Sequence, residues 1–234
     1  MKLFTRERGS GDRYAVLVHG MMSDSRYWRR LTPVLVERGY HVVAVDLPGH
    51  GQSARAKRYS VPLLVDSLIE SVPAQPELVL GHSLGGLTIN LAAPVLQPKR
   101  AVYLDPAFSS PKLTWLQRRM APAAERRLLK STAEQIASRN PRWDAEDVEI
   151  EAESFGQFDR RMFPLLLAKG GLRAPTSMEV PSLVVLAENS SLVDTELAQH
   201  LTETGFVVRV VAGTSHTLDR DDFDAFMQSL DGWV

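Results

Sequence analysis

The sequence contains no cysteine. This absence excludes disulfide bonds, a thiolate nucleophile and a cysteine-ligated zinc site. An excess of charge of one sign is also missing, because 27 Lys and Arg residues balance 28 Asp and Glu residues. A nearly neutral chain lacks the electrostatic attraction that nucleic acid or an anionic membrane surface requires, and we expect neither as a partner.

Long hydrophobic runs are absent from the 234 residues. No apolar run approaches the roughly 20 residues that cross a bilayer. Residues 1–8 have none of the apolar length of a signal peptide. We therefore expect a cytoplasmic protein without a membrane partner, either a monomer or a homodimer, of the size of one α/β domain.

Short apolar runs are what the chain does contain, and they are typical of strands that are buried on both faces. They occupy residues 15–18, 42–45, 78–80, 101–104, 183–186 and 206–211. Helical patterns lie between most of them. This alternation predicts an α/β protein with a mostly parallel, doubly wound sheet of about six to seven strands.

Residues 107–180 differ from the rest because they carry many charged residues in helical patterns, and we predict no strand among them. We interpret this segment as three or four amphipathic helices inserted between two strands. An insertion of this length is typical of a lid over a site. The prediction is thus a core of residues 1–106 and 181–234 with a helical cap of residues 107–180.

The motif Gly-x-Ser-x-Gly places Ser83 between Gly81 and Gly85, directly after the strand at 78–80 and before a helical pattern. In this context the motif predicts a nucleophile elbow, with the serine hydroxyl exposed above the sheet edge. The glycines leave room where strand and helix backbones approach each other. Without its context, the same motif is often an ordinary turn.

Four polar residues, His19, Ser83, Asp105 and His216, each follow a predicted strand. The carboxyl ends of parallel strands meet at one edge of the sheet, where ligands bind in folds of this kind. We therefore expect these four side chains on one rim. A free serine hydroxyl is a weak nucleophile and needs a neighbouring base.

Together these motifs resemble the α/β-hydrolase family over almost the whole chain. They are His19-Gly20, the Asp-Leu-Pro-Gly-His-Gly segment at 46–51, the elbow and the late His216, in the family's order. The resemblance implies the α/β-hydrolase fold, a Ser-acid-His triad, an oxyanion hole and a helical cap. The chain departs from larger members in its short N-terminal part, where one or two leading strands are expected to be missing.

Within this resemblance, Ser83 is the expected nucleophile and His216 the expected base. Of the six histidines, only His216 lies after the last predicted strand. The oxyanion hole is expected at the backbone N–H groups of Met21 and Leu84. His19 is interpreted as a structural ring that holds the oxyanion loop.

The sequence offers more than one position for the acid of the triad. Most relatives carry it after the penultimate strand, where this chain has Ser190, which cannot orient an imidazolium. Some members place the acid one strand earlier, and Asp105 stands at that position. We favour Asp105, with Glu188 and Asp194 as alternatives, although Asp194 is better placed to cap a helix.

The resulting hypothesis is a serine hydrolase that cleaves a carboxylic ester, a lactone or a thioester through an acyl-enzyme. The alternatives are a lyase or cofactor-free synthase that uses the same serine and histidine, and a non-catalytic binding protein of this fold. No nucleotide motif or metal-ligand spacing occurs, so we expect neither cofactor nor metal.

A small molecule with an apolar acyl or aromatic group is the expected substrate. The residues predicted to contact it are Met22, His82, Phe108, Trp115, Phe158 and Met162. For most of the cap aromatics, packing within the cap is the favoured alternative interpretation.

Overall fold

A seven-stranded sheet forms the centre of the computed structural model, which describes residues 1–109, 114–167 and 172–234. In chain order its strands are β1 (Thr5–Arg8), β2 (Tyr14–Val18), β3 (His41–Val45), β4 (Leu78–His82), β5 (Arg100–Leu104), β6 (Ser182–Ala187) and β7 (Val207–Val211). Their spatial order is β1-β3-β2-β4-β5-β6-β7. Only β1 is antiparallel to its neighbour, β3, so the predicted mostly parallel sheet is confirmed.

Both faces of the sheet are covered at its five central strands, β2 to β6, which explains why these strands are apolar without alternation. The edge strands differ: β1 is polar, and β7, predicted as buried on both faces, is exposed at Val207 and Val210. Along β2, Val16 and Val18 pack into the hydrophobic cluster on one face. Ala15 and Leu17 pack into the cluster on the other face, and all four side chains are fully buried.

Helices connect the strands and cover the sheet. In chain order they are α1 (Leu31–Glu37), α2 (Val61–Ser71), α3 (Leu84–Leu96), α4 (Trp115–Leu128), α5 (Ala133–Arg139), α6 (Ala145–Gln157), α7 (Pro164–Leu167), α8 (Thr195–Glu203), α9 (Leu218–Asp221) and α10 (Phe223–Ser229). Two 3₁₀ turns occupy Ser25–Trp28 and Arg160–Met162. Four of the helices, α4 to α7, lie between β5 and β6, where the described residues contain no strand.

Ion pairs attach helix α6 to the core beside the turn at Ser25–Trp28. The Arg29 Nε donates to the buried carboxylate of Asp147 at 2.9 Å. The Ser154 hydroxyl donates to Asp24 at 2.7 Å. Burial by itself would raise the pKa of Asp24, but hydrogen bonds from Arg26 and Ser154 outweigh it and lower the pKa to about 2. This carboxylate therefore stays charged when α6 is docked.

A second attachment of α6 is built around Arg220 of α9, whose side chain is only 1% exposed. Its guanidinium lies between the rings of Tyr27, at 4.6 Å, and Trp143, at 4.5 Å, and its Nη1 donates to Glu151 at 2.7 Å. The neighbouring Asp219 accepts a hydrogen bond from the Tyr27 hydroxyl. Burial raises the pKa of Asp219 to about 6, although Tyr27 and Arg220 act in the opposite direction.

The raised pKa of Asp219 predicts a pH-dependent stability. The contribution of this carboxyl to the free energy of unfolding is largest below its ordinary pKa of 3.8. The contribution is lost as the pH rises through about 6. Asp219→Asn keeps an acceptor for Tyr27 and removes the buried charge. We compare the free energy of unfolding of the variant with that of wild type at each pH. The stabilisation by the variant should be up to about 3 kcal/mol larger at pH 8 than at pH 4.

Urea denaturation of wild type and variant at both pH values measures this difference. Asp224→Asn, at an exposed position of α10, is the matched control and should show no such dependence. An equal effect of Asp219→Asn at both pH values would contradict the prediction.

Candidate active site

Ser83 occupies a sharp turn between β4 and α3, with φ 51° and ψ −115°. This left-handed conformation is strained for a residue with a side chain and is typical of functional sites. A Cβ on Gly85 would lie 2.1 Å from the Val18 carbonyl oxygen, and a Cβ on Gly81 would lie 2.6 Å from the Gly85 carbonyl. Only glycine fits at both positions, because strand and helix backbones are in contact there.

Asp105 and His216 meet at the carboxyl edge of the sheet. The Asp105 carboxylate, 1% exposed, follows β5, and its Oδ2 lies 2.6 Å from His216 Nδ1. The backbone N–H of Ala187, at the end of β6, points to Asp105 Oδ1 at 3.4 Å. With Nδ1–H donating to the carboxylate, the second ring nitrogen of His216 is left with a free electron pair. The His216 side chain is 44% exposed.

The other candidate acids lie elsewhere. Asp194 caps α8, as the sequence predicts, with Oδ1 accepting from the Leu197 N–H at 3.1 Å. Glu188 is exposed. Ser190 accepts the backbone N–H of Val193 at 3.0 Å and stabilises its own loop.

Ser83 and His216 are connected through His82. Among the hydrogen bonds of the described ranges, none joins the Ser83 hydroxyl to the His216 ring. His82, next to the serine in sequence, donates from Nε2 to the His216 carbonyl oxygen at 2.8 Å. Its ring lies 4.6 Å from the His216 ring. Catalytic hydrogen bonds often form fully only when substrate binds, so this arrangement is compatible with a serine–histidine pair.

His19 fixes the loop that follows β2. Its ring is fully buried, donates from Nδ1 to the Gly20 carbonyl at 2.6 Å and accepts the Leu47 N–H at 3.0 Å. Burial lowers the pKa of His19, which keeps it neutral and able to do both. In a trans peptide the C=O and N–H groups point in opposite directions, so the Met21 N–H points away from His19. Gly20 packs against the serine, since a Cβ there would lie 3.2 Å from the Ser83 Cβ.

His50 supports the same loop, a role that the sequence interpretation missed. Its Nε2 accepts the Met22 N–H at 3.1 Å, and its Nδ1 donates to the Pro48 carbonyl at 3.2 Å. Burial, reinforced by His19, lowers the pKa of His50 well below its ordinary value. Met22 itself has a positive φ of 65°.

Leu84 and Met21 carry the two N–H groups that could face an anion. Leu84 is the first residue of α3, so its N–H has no acceptor within the helix. For the Met21 N–H, the described part of the chain offers no hydrogen-bond acceptor. Both groups therefore remain free to donate.

Three predicted substrate contacts are packed in the core instead. Phe108, Phe158 and Met162 are buried members of one hydrophobic cluster, with Phe108 against the Tyr103 ring and Phe158 against the His50 ring. These side chains fill space between elements and are at most 4% exposed. Trp115 is 74% exposed on α4.

Other features of the molecule lie apart from this rim. A cavity of about 970 Å³ is formed by α4, α5 and Phe163, and neither Ser83 nor His216 lines it. Within the described ranges, no three His, Asp or Glu side chains group as metal ligands. None of the helices described is long and apolar enough to cross a membrane.

Comparison with curated proteins finds relatives that match part of the chain. Pimeloyl-(acyl-carrier protein) methyl ester esterase of Klebsiella pneumoniae is 35% identical over 103 residues, 44% of this chain and 39% of that protein. Salicylic acid-binding protein 2 of Nicotiana tabacum is 36% identical over 88 residues, 34% of this chain and 33% of that protein. The matches thus span about two-fifths or less of these relatives.

Solved structures match over nearly the full chain. An N-formylmaleamic acid deformylase from Pseudomonas putida has a TM-score of 0.78 at 20% identity, covering 97% of this chain and 95% of that one. The thioesterase domain of the curacin biosynthetic pathway has a TM-score of 0.74 at 21% identity, covering 96% and 92%. At these identities the likeness shows a shared fold.

The model of the Alpha/beta hydrolase family matches residues 15–228, nearly the whole chain. The matched range contains the serine elbow, the aspartate after β5 and the histidine after β7. The chain belongs to the α/β-hydrolase family.

Proposed function

We propose that the protein is a serine hydrolase that cleaves a carboxylic ester, a lactone or a thioester through an acyl-enzyme on Ser83. The observation that carries the proposal is the 2.6 Å contact between Asp105 Oδ2 and His216 Nδ1, with the carboxylate buried. A buried carboxylate on an imidazole beside a strained serine is the arrangement that activates a hydroxyl.

In the first half of the reaction, the Ser83 hydroxyl attacks the substrate carbonyl carbon while His216 Nε2 accepts the hydroxyl proton. The tetrahedral intermediate collapses, and the proton on Nε2 passes to the departing alcohol or thiol. In the second half, a water molecule repeats the sequence on the acyl-enzyme. The carboxylic acid leaves and Ser83 regains its proton.

Asp105 is proposed as the orienting acid. Its carboxylate accepts the Nδ1–H, which leaves Nε2 as the basic nitrogen and stabilises the imidazolium that forms during attack. The backbone N–H groups of Met21 and Leu84 are proposed as the oxyanion hole. Each such donor typically lowers the barrier by about 3 kcal/mol.

The named relatives support an ester substrate. One is a methyl ester esterase, and others are methylesterases of Arabidopsis thaliana. Because the chain spans only part of their length, the substrate class stays a proposal. We propose a small molecule with an apolar acyl or aromatic group, no cofactor, and residues 107–180 as the cap over the site. Met22, which is partly buried in the loop after β2, and His82, which precedes Ser83 in the chain, are also proposed as substrate contacts.

Asp105→Asn tests the proposed acid. The amide cannot hold the productive tautomer of His216, so we expect kcat to fall by roughly 10⁴-fold, with little change in the folded structure. Steady-state hydrolysis of an activated ester, such as a p-nitrophenyl ester, measures the fall in kcat. Glu188→Gln is the matched control and should retain activity. Full activity of Asp105→Asn combined with loss in Glu188→Gln would move the role to Glu188.

Acyl transfer itself is tested with p-nitrophenyl esters, lactones and thioesters of graded acyl length. We expect wild type to react with a fluorophosphonate at Ser83 and to release p-nitrophenol, and Ser83→Ala to do neither. Labelling without p-nitrophenol release would argue against hydrolysis and favour lyase chemistry. Absence of labelling would favour a binding protein.

A further inference from the structure

Asp221, at the end of α9, binds the Thr214–Ser215 peptide group, in the loop just before His216. Its Oδ2 accepts the backbone N–H of Ser215 at 2.5 Å, and its side chain is 5% exposed. The proposed triad does not include this residue. A buried carboxylate that accepts a backbone N–H fixes the orientation of that peptide.

The same carboxylate contacts the segment in front of α6. Trp143 donates from its indole Nε1 to Asp221 Oδ1 at 3.2 Å, and Arg142 lies 3.3 Å from Oδ2. One side chain of the core thus joins the cap segment 142–143 to the loop that carries His216.

A stack of planar groups runs in parallel with this link. From the cap inward, the Trp143 ring covers the Arg220 guanidinium, which covers the Tyr27 ring. The Tyr27 ring lies parallel to His82, with centroids 4.9 Å apart, and His82 lies against His216. The stack connects the same cap residue, Trp143, to the imidazole by a second route.

His216 is therefore held at three points. Asp221 accepts the N–H of the preceding residue, Ser215, His82 donates to the His216 carbonyl, and Asp105 accepts from the His216 Nδ1–H. Of these three residues, Asp221 is the one with contacts to the cap among the described residues, through Trp143 and Arg142. A displacement of about 1 Å in a reacting group can cost 10²-fold in rate, so this backbone contact matters for the base.

We propose that Asp221 is a positioning residue, which places His216 for proton transfer only while the cap segment 142–143 is docked on it. The proposal rests on the proposed hydrolase function. It also assigns Trp143 and Arg142 of the cap a part in the geometry of the base, separate from substrate contact.

The test uses the full-length protein with Asp221→Asn, Trp143→Phe and the double variant. Trp143→Phe removes the indole N–H and keeps a ring over Arg220. We expect kcat to fall about 10-fold in Asp221→Asn and about 3-fold in Trp143→Phe, with KM within about 2-fold of wild type. The double variant should fall no further than Asp221→Asn, because both changes break one link.

Asp222→Asn is the matched control. Asp222 caps α10 by accepting the Ala225 N–H at 2.9 Å, and asparagine caps equally well. It should leave kcat and KM unchanged. A purely structural role of Asp221 would lower the melting temperature and leave kcat at wild-type values below the transition, which would overturn the proposal. A rise in KM at unchanged kcat would overturn it too.

Hydrogen exchange at the Ser215 amide gives a readout that needs no activity. We expect exchange to become at least about 10-fold faster in Asp221→Asn and also faster in Trp143→Phe, as protection follows the local hydrogen bond. If Asp221→Asn does not fold, Trp143→Phe and Arg142→Gln carry the test. Unchanged exchange at the Ser215 amide in both cap variants would overturn the proposed link between the cap segment and the loop of His216. A wild type that shows neither ester turnover nor fluorophosphonate labelling of Ser83 would overturn the hydrolase function alone.

Discussion

The hydrogen bond between the buried Asp105 carboxylate and the His216 ring is the contact on which the site depends. A carboxylate that is removed from water needs strong donors, and here they are one imidazole N–H and one backbone N–H from the end of β6. Asp105 follows β5 and His216 follows β7, with β6 between them in the sheet. The loop after β7 must therefore cross the end of β6, which carries the imidazole back toward the serine elbow.

Buried neutral histidines hold the rest of the rim. Burial lowers the pKa of His19, His50 and His82, so each keeps a donor nitrogen and an acceptor nitrogen. His19 and His50 use both nitrogens to join the loop after β2 to the loop after β3. Aspartate or lysine could supply only one of the two functions.

The sequence was sufficient for the sheet and for the elbow, because apolar runs and glycine spacing are local signals. It also pointed to Asp105, since the strand order determines which residues share the rim. It could not predict the stack of Tyr27 on Arg220, whose members are far apart in the chain and carry no motif. Nor could it single out Asp147 among the many charged residues of 107–180 as the one buried against Arg29, because tertiary packing alone decides such pairing.

Helix α6 and helix α4 differ in how they attach to the rest of the protein. Arg29 and Arg220 bind α6 through Asp147 and Glu151. Helix α4 instead exposes Trp115, Leu116 and Met120 and is joined to the turn at Arg160–Met162 through Glu125. The insertion is thus modular. Exchange of α4 between homologous chains would leave the ion pairs of α6, the Asp105–His216 contact and the serine elbow in place, and evolution can vary this helix without disturbing them.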